Sequence, residues 1–287
     1  MKYTVGIVGL GLIGGSLAKA IKAKTGYRVL GFDICKDVMS LAEEQGVIDG
    51  ELIDAALAEC GLIIVALYPD DVISYCRRSL SYMRSGTIVV DCTGVKMRIC
   101  EELSVLAKEH SIRFVGGHPM AGIERSGFSS SFAEIFNGAT MILCEDSCTD
   151  RSALEELHSF FLSIGFGNIK ITTAREHDEI IAYTSQLAHL VSSAYIRSST
   201  MKRRYGFSAG SFKDLTRVAK LNEDMWTALF FENRENLLKE ADVFLDHVRS
   251  YRDALASLDR NTVKELLRSS TTLKVMDETE EKEWLKK

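Results

Sequence analysis

Residues 4–18 read TVGIVGLGLIGGSLA, and the reading of this stretch decides the fold of the amino-terminal half. The run from Thr4 to Val8 is short, apolar and rich in valine and isoleucine, as suits a strand covered on both faces. Gly9-Leu10-Gly11-Leu12-Ile13-Gly14 then fits the pattern G-x-G-x-x-G, and helical spacing follows over 16–23. The pattern has a mechanical meaning only between a strand and a helix, which is where it stands. Gly9 permits a tight turn, Gly11 lets the main chain approach a pyrophosphate at the helix N-terminus, and Gly14 lets helix pack closely on strand. A dinucleotide site lined by residues 9–14 is therefore expected.

Working outward, Asp33 lies nineteen residues after Gly14, at the end of a second apolar run. A carboxylate there accepts hydrogen bonds from the adenosine ribose and repels a 2′-phosphate, so NAD is favoured over NADP, although nearby Lys36 works the other way. Apolar runs recur at 4–9, 28–33, 62–66, 87–91, 112–116, 139–144 and 168–171, with helical spacing between the early ones. Such alternation predicts an α/β domain with a parallel sheet and right-handed crossovers. Ligands of open sheets bind beyond the carboxyl ends of the strands, so Ala66 and Leu67 after the third run and Thr93 after the fourth are expected beside the nicotinamide half of the cofactor. A helix is expected from an N-cap at 149–150 to near Gly165.

After Thr172 the pattern is helical throughout, broken at 205–211 and again near 259–262. The expected division is a dinucleotide-binding domain over 1–172 and a helical domain over 173–287. Leu237, Ala241, Phe244, Val248, Tyr251, Leu255 and Leu258 follow a heptad-like 4–3 spacing. With Trp226 and Phe230 upstream, a single helix over 226–258 would be roughly 50 Å long at 1.5 Å per residue. A helix of that length either packs as an ordinary amphipathic core helix or is shared with a second subunit, the reading favoured here. The charged stretch after Asp277 is expected to fray.

Bulk properties narrow the function classes. With 287 residues, 46% of them hydrophobic and 26% charged, the chain can bury two cores without disulfides. A net charge of −5 with mixed signs argues against nucleic acid as a partner. The amino terminus runs straight into a strand with no signal-peptide layout, and no apolar run is long enough to span a membrane, so a cytoplasmic enzyme without a membrane partner is expected. The seven cysteines (35, 60, 76, 92, 100, 144 and 148) have no metal-like pairing and read as buried reduced thiols. No metal is expected.

Three groups could carry chemistry. His118 stands in Gly116-Gly117-His118-Pro119-Met120-Ala121-Gly122, expected just past the fifth strand, with proline biasing it toward an extended backbone and glycines leaving room for a ligand. A lone histidine is often structural, but one at the mouth of a dinucleotide site suits acid–base work near neutral pH. Asp178, Ser185 and His189 fall within about 40° of one another at 100° per residue, a polar stripe that marks either a site or a satisfied buried network. Ser211 with Asp214 reads as a capping box, which places Arg217 on the second turn of the helix it opens. Arg217 is either an ordinary surface charge or a planar fork for a carboxylate.

Together, GLGLIGGSLA (9–18), GGHPMAGIERSG (116–127), HDEIIAYTSQLAH (177–189), FKDLTRVA (212–219) and MWTALFFENREN (225–236) resemble the prephenate and arogenate dehydrogenase family over nearly the full chain. The resemblance implies a Rossmann-like domain followed by an all-α domain that dimerises. It also implies oxidation of prephenate by NAD to 4-hydroxyphenylpyruvate, carbon dioxide and NADH. His118 would take the ring-hydroxyl proton as hydride leaves the ring carbon, and loss of the ring carboxylate would follow because it yields an aromatic ring. Arg217 would hold a substrate carboxylate, His189 and Ser185 would touch the substrate, and Glu124 and Lys213 would flank the entrance. Arogenate, with an amine in place of the side-chain keto group, is the alternative substrate. A different hydroxyacid dehydrogenase fits the His-Pro-Met-Ala-Gly stretch less well, and an NAD-sensing regulator would need neither His118 nor Arg217. The chain departs from the family in two places. Gly94 stands where many members carry a serine that supports the catalytic histidine, and Thr93 or a water is expected to replace its hydroxyl. Ala188 stands where proline is common, without consequence for the helix. The length leaves no room for an appended regulatory domain or a fused mutase, so any feedback by tyrosine is expected at the active site.

Overall fold

The computed structural model describes residues 3–284, and each of the seven apolar runs forms a strand in it. The strands are β1 (Thr4–Val8), β2 (Arg28–Phe32), β3 (Leu62–Val65), β4 (Ile88–Asp91), β5 (Arg113–Pro119), β6 (Thr140–Cys144) and β7 (Asn168–Thr172), in the sheet order β2-β1-β3-β4-β5-β6-β7. Helices α1 (Leu12–Lys24), α2 (Lys36–Glu44), α3 (Pro69–Ser79), α4 (Met97–Glu109) and α5 (Arg151–Ser163) lie between them. The Asp150 carboxylate caps α5 by accepting from the Ala153 amide at 2.9 Å.

Alternation along the strands divides the core into two layers. Val5, Ile7, Leu62, Ile64, Val90 and Val115 pack with Leu17 and Ile21 of α1 and with Leu157 and Phe161 of α5. Val8, Ile63, Val65, Val89 and Phe114 face the other way, toward Val72 and Ile73 of α3 and Ile99 and Leu103 of α4. Each fully buried side chain of this size stabilises the fold by roughly 1.5–3 kcal/mol. Covering both faces with helices holds the carboxyl ends of β1, β3, β4 and β5 along one edge.

The sheet is not parallel throughout, a departure from the expected alternation. β6 pairs antiparallel with β5, with Pro119 opposite Met141. The link over 120–139 contains only two short 3-10 turns, so the chain turns back at the edge where β5 ends instead of crossing over through a helix. His118 is accordingly inside β5, opposite Ile142, and not beyond it.

The helical part comprises α6 (Ala174–Ile181), a wide π turn over Ala182–Leu187, α7 (Ala188–Tyr195), α8 (Gly210–Thr216), α9 (Glu223–Glu232), α10 (Arg234–Ala256) and α11 (Arg260–Trp284). Three local expectations are corrected. The long helix over 226–258 is broken at Asn233, whose backbone leaves helical geometry (φ −112°, ψ 29°) while its side-chain amide donates to Asp178 O and Gln186 Oε1. The Ser211–Asp214 capping box does not form, because the N-cap of α8 is Ala209, two residues earlier, which draws Ser211 into the helix. The stripe drawn at 100° per residue is interrupted, because the π turn between Asp178 and His189 is wider than an α turn.

Cα packing separates Met1–Asn236 from Leu237–Lys287, a different cut from the one at 172. In the second unit Val248, Leu255 and Leu258 are exposed while Leu237 and Ala254 are buried, and Leu258 (φ 57°) lies outside the helix, ending the 4–3 seam. The stretch after Asp277 is helical to Trp284 instead of frayed, and residues 285–287 lie outside the described residues. Among the described residues no helix is long and apolar enough to cross a membrane. Four of the seven cysteines are buried, but Cys35 is exposed and Cys92 and Cys148 are half-buried.

Candidate active site

The glycine turn is built as its spacing requires. Gly9 has φ +86°, and a Cβ there would fall 2.5 Å from Ala66 O. A Cβ on Gly14 would fall 1.8 Å from Gly9 O, so any side chain at Gly14 would force α1 off the turn. Nothing lies within 4 Å of a Cβ on Gly11, which leaves open space at the N-terminus of α1, where the first-turn amides carry partial positive charge. Leu12 and Ile13 form that first turn. Leu10 is buried, and its amide donates to Asp33 Oδ2 at 2.8 Å, while the Cys35 amide donates to Oδ1 at 2.9 Å. Asp33 therefore braces the turn and keeps further acceptor lone pairs at the end of β2. Ala66 and Leu67, both half-buried, follow β3 on the same edge.

Beyond β4 lies a buried charged knot. The ammonium of Lys96 pairs with Asp91, and both side chains are fully buried. Asp91 also accepts from the Thr93 amide (3.0 Å), the Thr93 hydroxyl (2.6 Å) and the Gly117 amide (3.0 Å). These bonds compensate the burial of two charges, which alone would be costly. The knot corrects the role expected of Thr93. Its hydroxyl is shared between Asp91 Oδ2 and Val95 O and accepts from Lys96 Nζ at 2.7 Å, so it is not the group that orients His118. Gly117 is glycine for packing: a Cβ would meet Asp91 O at 2.5 Å and Met141 Cε at 2.7 Å. At Gly94 the space is easier, with Leu229 Cδ2 at 3.5 Å and His118 Nε2 at 3.8 Å from a Cβ, both ordinary contacts. Gly94→Ser is thus expected to fold normally and place a hydroxyl beside His118 Nε2 without loss of turnover. Steady-state rates and a melting curve check this, and a large fall in kcat would show that substrate fills that space.

The group that does touch His118 is His177, which sequence reasoning missed. His118 Nδ1 lies 2.9 Å from His177 Nε2, with the rings edge-to-face at 63°. His177 Nδ1 in turn lies 2.7 Å from Asp178 Oδ1. Asp178 also accepts from the Lys96 amide at 2.8 Å and the Met97 amide at 2.9 Å, so a carboxylate from α6 closes the N-terminus of α4. Burial first, then the neighbouring charges of His177 and Lys96, hold the His118 imidazole well below its ordinary range. Burial also lowers His177, against the opposing pull of Asp178. The signal for this pair was the adjacency of His177 and Asp178 just after the last strand.

Across the π turn, Gln186 and not Ser185 is the buried polar residue, held by Asn233 and by Leu229 O at 2.9 Å. Ser185 is half-buried, and its carbonyl contacts His189 Nδ1 at 2.8 Å. His189 stacks on Trp226, centroids 3.9 Å apart, and its pKa is lowered by burial while the Ser185 carbonyl raises it and Arg217 lowers it. Trp226 and Leu229 both belong to α9, so one helix touches His189 with one side chain and approaches Gly94 with another. Arg217, in a 3-10 turn after α8, pairs with Glu124 of the β5–β6 link. The structure thus brings His118 and His177 together, and separately Ser185, His189, Arg217 and Glu124. Lys213 is exposed on α8.

Two family patterns match, "Prephenate dehydrogenase, nucleotide-binding domain" over residues 17–170 and "Prephenate dehydrogenase, dimerization domain" over 173–269. The chain belongs to the prephenate dehydrogenase family. It is 31% identical to the prephenate dehydrogenase of Lactococcus lactis over 84% of this chain and 68% of that one. It is 30% identical to the cyclohexadienyl dehydrogenase of Zymomonas mobilis over 93% of each. The crystal structure of prephenate dehydrogenase from A. aeolicus in complex with hydroxyphenyl propionate and NAD+ superposes with a TM-score of 0.84 at 26% identity, covering 96% of this chain and 98% of that one. The first of the two patterns, a nucleotide-binding domain, agrees with the glycine turn at the end of β1.

Proposed function

We propose that the protein oxidises and decarboxylates prephenate with NAD, forming 4-hydroxyphenylpyruvate in tyrosine biosynthesis, with His118 as the general base. The observation that carries this reading is the position of His118 Nε2, 3.8 Å from where a Cβ on Gly94 would stand, at the sheet edge shared with the glycine turn. NAD, when bound, supplies the acceptor for the hydride that leaves the ring carbon. The first-turn amides of α1, opened by Gly11, suit its pyrophosphate, and Asp33 its adenosine ribose. Ala66, Leu67 and the loop of Thr93 border its other half. His118 Nε2 accepts the proton of the substrate hydroxyl, and held neutral by its surroundings it is ready to do so at pH 7. Arg217 supplies a fork for a substrate carboxylate, Ser185 and His189 line that end, and Glu124 and Lys213 stand at the rim. Rates of reduced-cofactor formation from prephenate and from arogenate, as NADH with NAD and as NADPH with NADP, test the reading. Prephenate with NAD is expected to be fastest, and no NADH from either substrate overturns it.

Residues 1–172 on this reading hold the cofactor, and residues 173–287 hold substrate and pair two subunits into a homodimer. The apolar side chains left exposed on α10 and α11, Leu238, Val248, Leu255, Leu267 and Leu273 among them, support pairing. Light scattering is expected to give a dimer, and a monomer at micromolar concentration overturns that part. Asp33→Ser is expected to raise KM for NAD and improve use of NADP, since it removes an acceptor for the ribose and a charge that repels a 2′-phosphate. Equal use of both cofactors by the parent protein would remove Asp33 from the argument.

A further inference from the structure

We propose that His177 is a positioning residue, which fixes the tautomer of His118 and thereby leaves Nε2 as its bare, proton-accepting nitrogen. The inference rests on the reading of His118 as the base. It follows from counting donors and acceptors outward from Asp178.

Both oxygens of the Asp178 carboxyl accept main-chain amides, those of Lys96 and Met97, so the group faces its partners as an acceptor. His177 Nδ1, 2.7 Å from Asp178 Oδ1, must then carry the hydrogen. A neutral imidazole has one N–H, so His177 Nε2 is left with a lone pair. His118 Nδ1, 2.9 Å from that lone pair, must in turn donate. What remains on His118 is a lone pair at Nε2, the atom that looks toward Gly94. His177 and Asp178 are almost wholly buried, so no solvent competes for the inner bonds. Thr93 takes no part, since its hydroxyl belongs to the Asp91–Lys96 knot. If His177 gained a second proton, its Nε2–H would oppose His118 Nδ1–H, and His118 would have to move its own hydrogen to Nε2. The charged groups around the two rings are Lys96, Asp91 and Asp178. The arrangement assigns to a carboxylate–imidazole pair on α6 the task that a side chain at position 94 does not perform in this chain.

The test uses the full-length protein and His177→Phe, which keeps a ring but no acceptor, alongside His177→Gln, whose carbonyl oxygen can accept from His118 Nδ1–H. Long-range ¹H–¹⁵N spectra of the histidine side chains read the tautomer of His118 directly, with no need for turnover. The hydrogen is expected on Nδ1 in the parent protein, redistributed toward Nε2 in His177→Phe and restored to Nδ1 in His177→Gln. Turnover in His177→Phe should fall at least about tenfold and on the order of 10²-fold, with KM for prephenate and for NAD nearly unchanged. His177→Gln should recover part of it. A parent protein with the His118 hydrogen on Nε2 overturns the proposal even if no variant folds, as does an unchanged tautomer in a folded His177→Phe. A shifted tautomer with undiminished turnover leaves the link between the two rings standing and removes His118 as the base, so the two failures are distinct.

Discussion

Replacing His118 by asparagine lowers kcat by about 10²–10⁴, the usual share of a positioned general base, while KM for NAD stays close to that of the parent protein. Asparagine is the informative choice, because its amide N–H can still donate toward His177 Nε2 and keep the buried bond that ties β5 to α6. It offers no basic atom at the Nε2 position. Its loss is therefore one of chemistry, and the melting temperature should move little. The pH profile gives an independent check. The imidazole of His118 is depressed below its ordinary value of 6.5 because the protonated ring would be buried beside His177 and Lys96. A depressed pKa means that the ring stays unprotonated, and so competent, as pH falls from 7 through the ordinary imidazole range. His177 and His189 are lowered too, so neither of these imidazoles brings the fall forward. The parent kcat/KM should thus stay level to below pH 6.5 and decline only beneath it. Turnover near the parent rate in His118→Asn, or a parent limb centred at or above 6.5, would each remove His118 from its role.

The fold was largely legible because its determinants are local. Each strand of the sheet is a short apolar run, and the glycine turn works through spacing alone, as the approach of Gly14 to Gly9 O shows. What escaped depends on geometry that no periodicity carries. The antiparallel entry of β6 follows from a link that makes only 3-10 turns, and composition does not distinguish such a link from a crossover. The pairing of His118 with His177 joins residues 59 apart in sequence, on two elements meeting at one edge. The spacing of the stripe over 178–189 does not show the π turn, which inserts a wider step than 100° per residue, buries Gln186 and leaves Ser185 half-buried. Thr93 failed for a related reason. A hydroxyl two residues after a buried aspartate bonds that carboxylate before it reaches outward, and the depth of Asp91 and Lys96 shows only in the folded chain. The break at Asn233 was equally hidden, because its amide is drawn off the helix by Asp178 O and Gln186.

Replacing Arg217 by alanine raises KM for prephenate by about 30-fold or more, a loss of about 2 kcal/mol, with NAD binding unchanged. Charge is the reason. Prephenate carries two carboxylates, and removing either from water without a partner is costly. Arg217 stands within electrostatic reach of His189, whose pKa its charge depresses, and its guanidinium pairs with Glu124. The residue thus sits among the side chains assigned to substrate and already has a carboxylate on its fork. Glu124 and Arg217 are 45% and 66% exposed, and a pair so open to water contributes little to the stability of the fold. Loss of Arg217 should therefore leave the melting temperature almost where it was, whereas a substrate carboxylate seated on the fork would lose both of its charge-assisted N–H bonds. Arg217→Lys separates charge from shape, since lysine restores the cation but not two parallel N–H bonds in a plane, and its KM should fall between those of the parent and the alanine variant. Normal prephenate affinity in Arg217→Ala together with a lowered melting temperature would make the residue structural and pass the carboxylate to His189 and Lys213. For His189 that would require a protonated ring, which burial and the Ser185 carbonyl pull in opposite directions, so Lys213, exposed on α8, would be the first to replace.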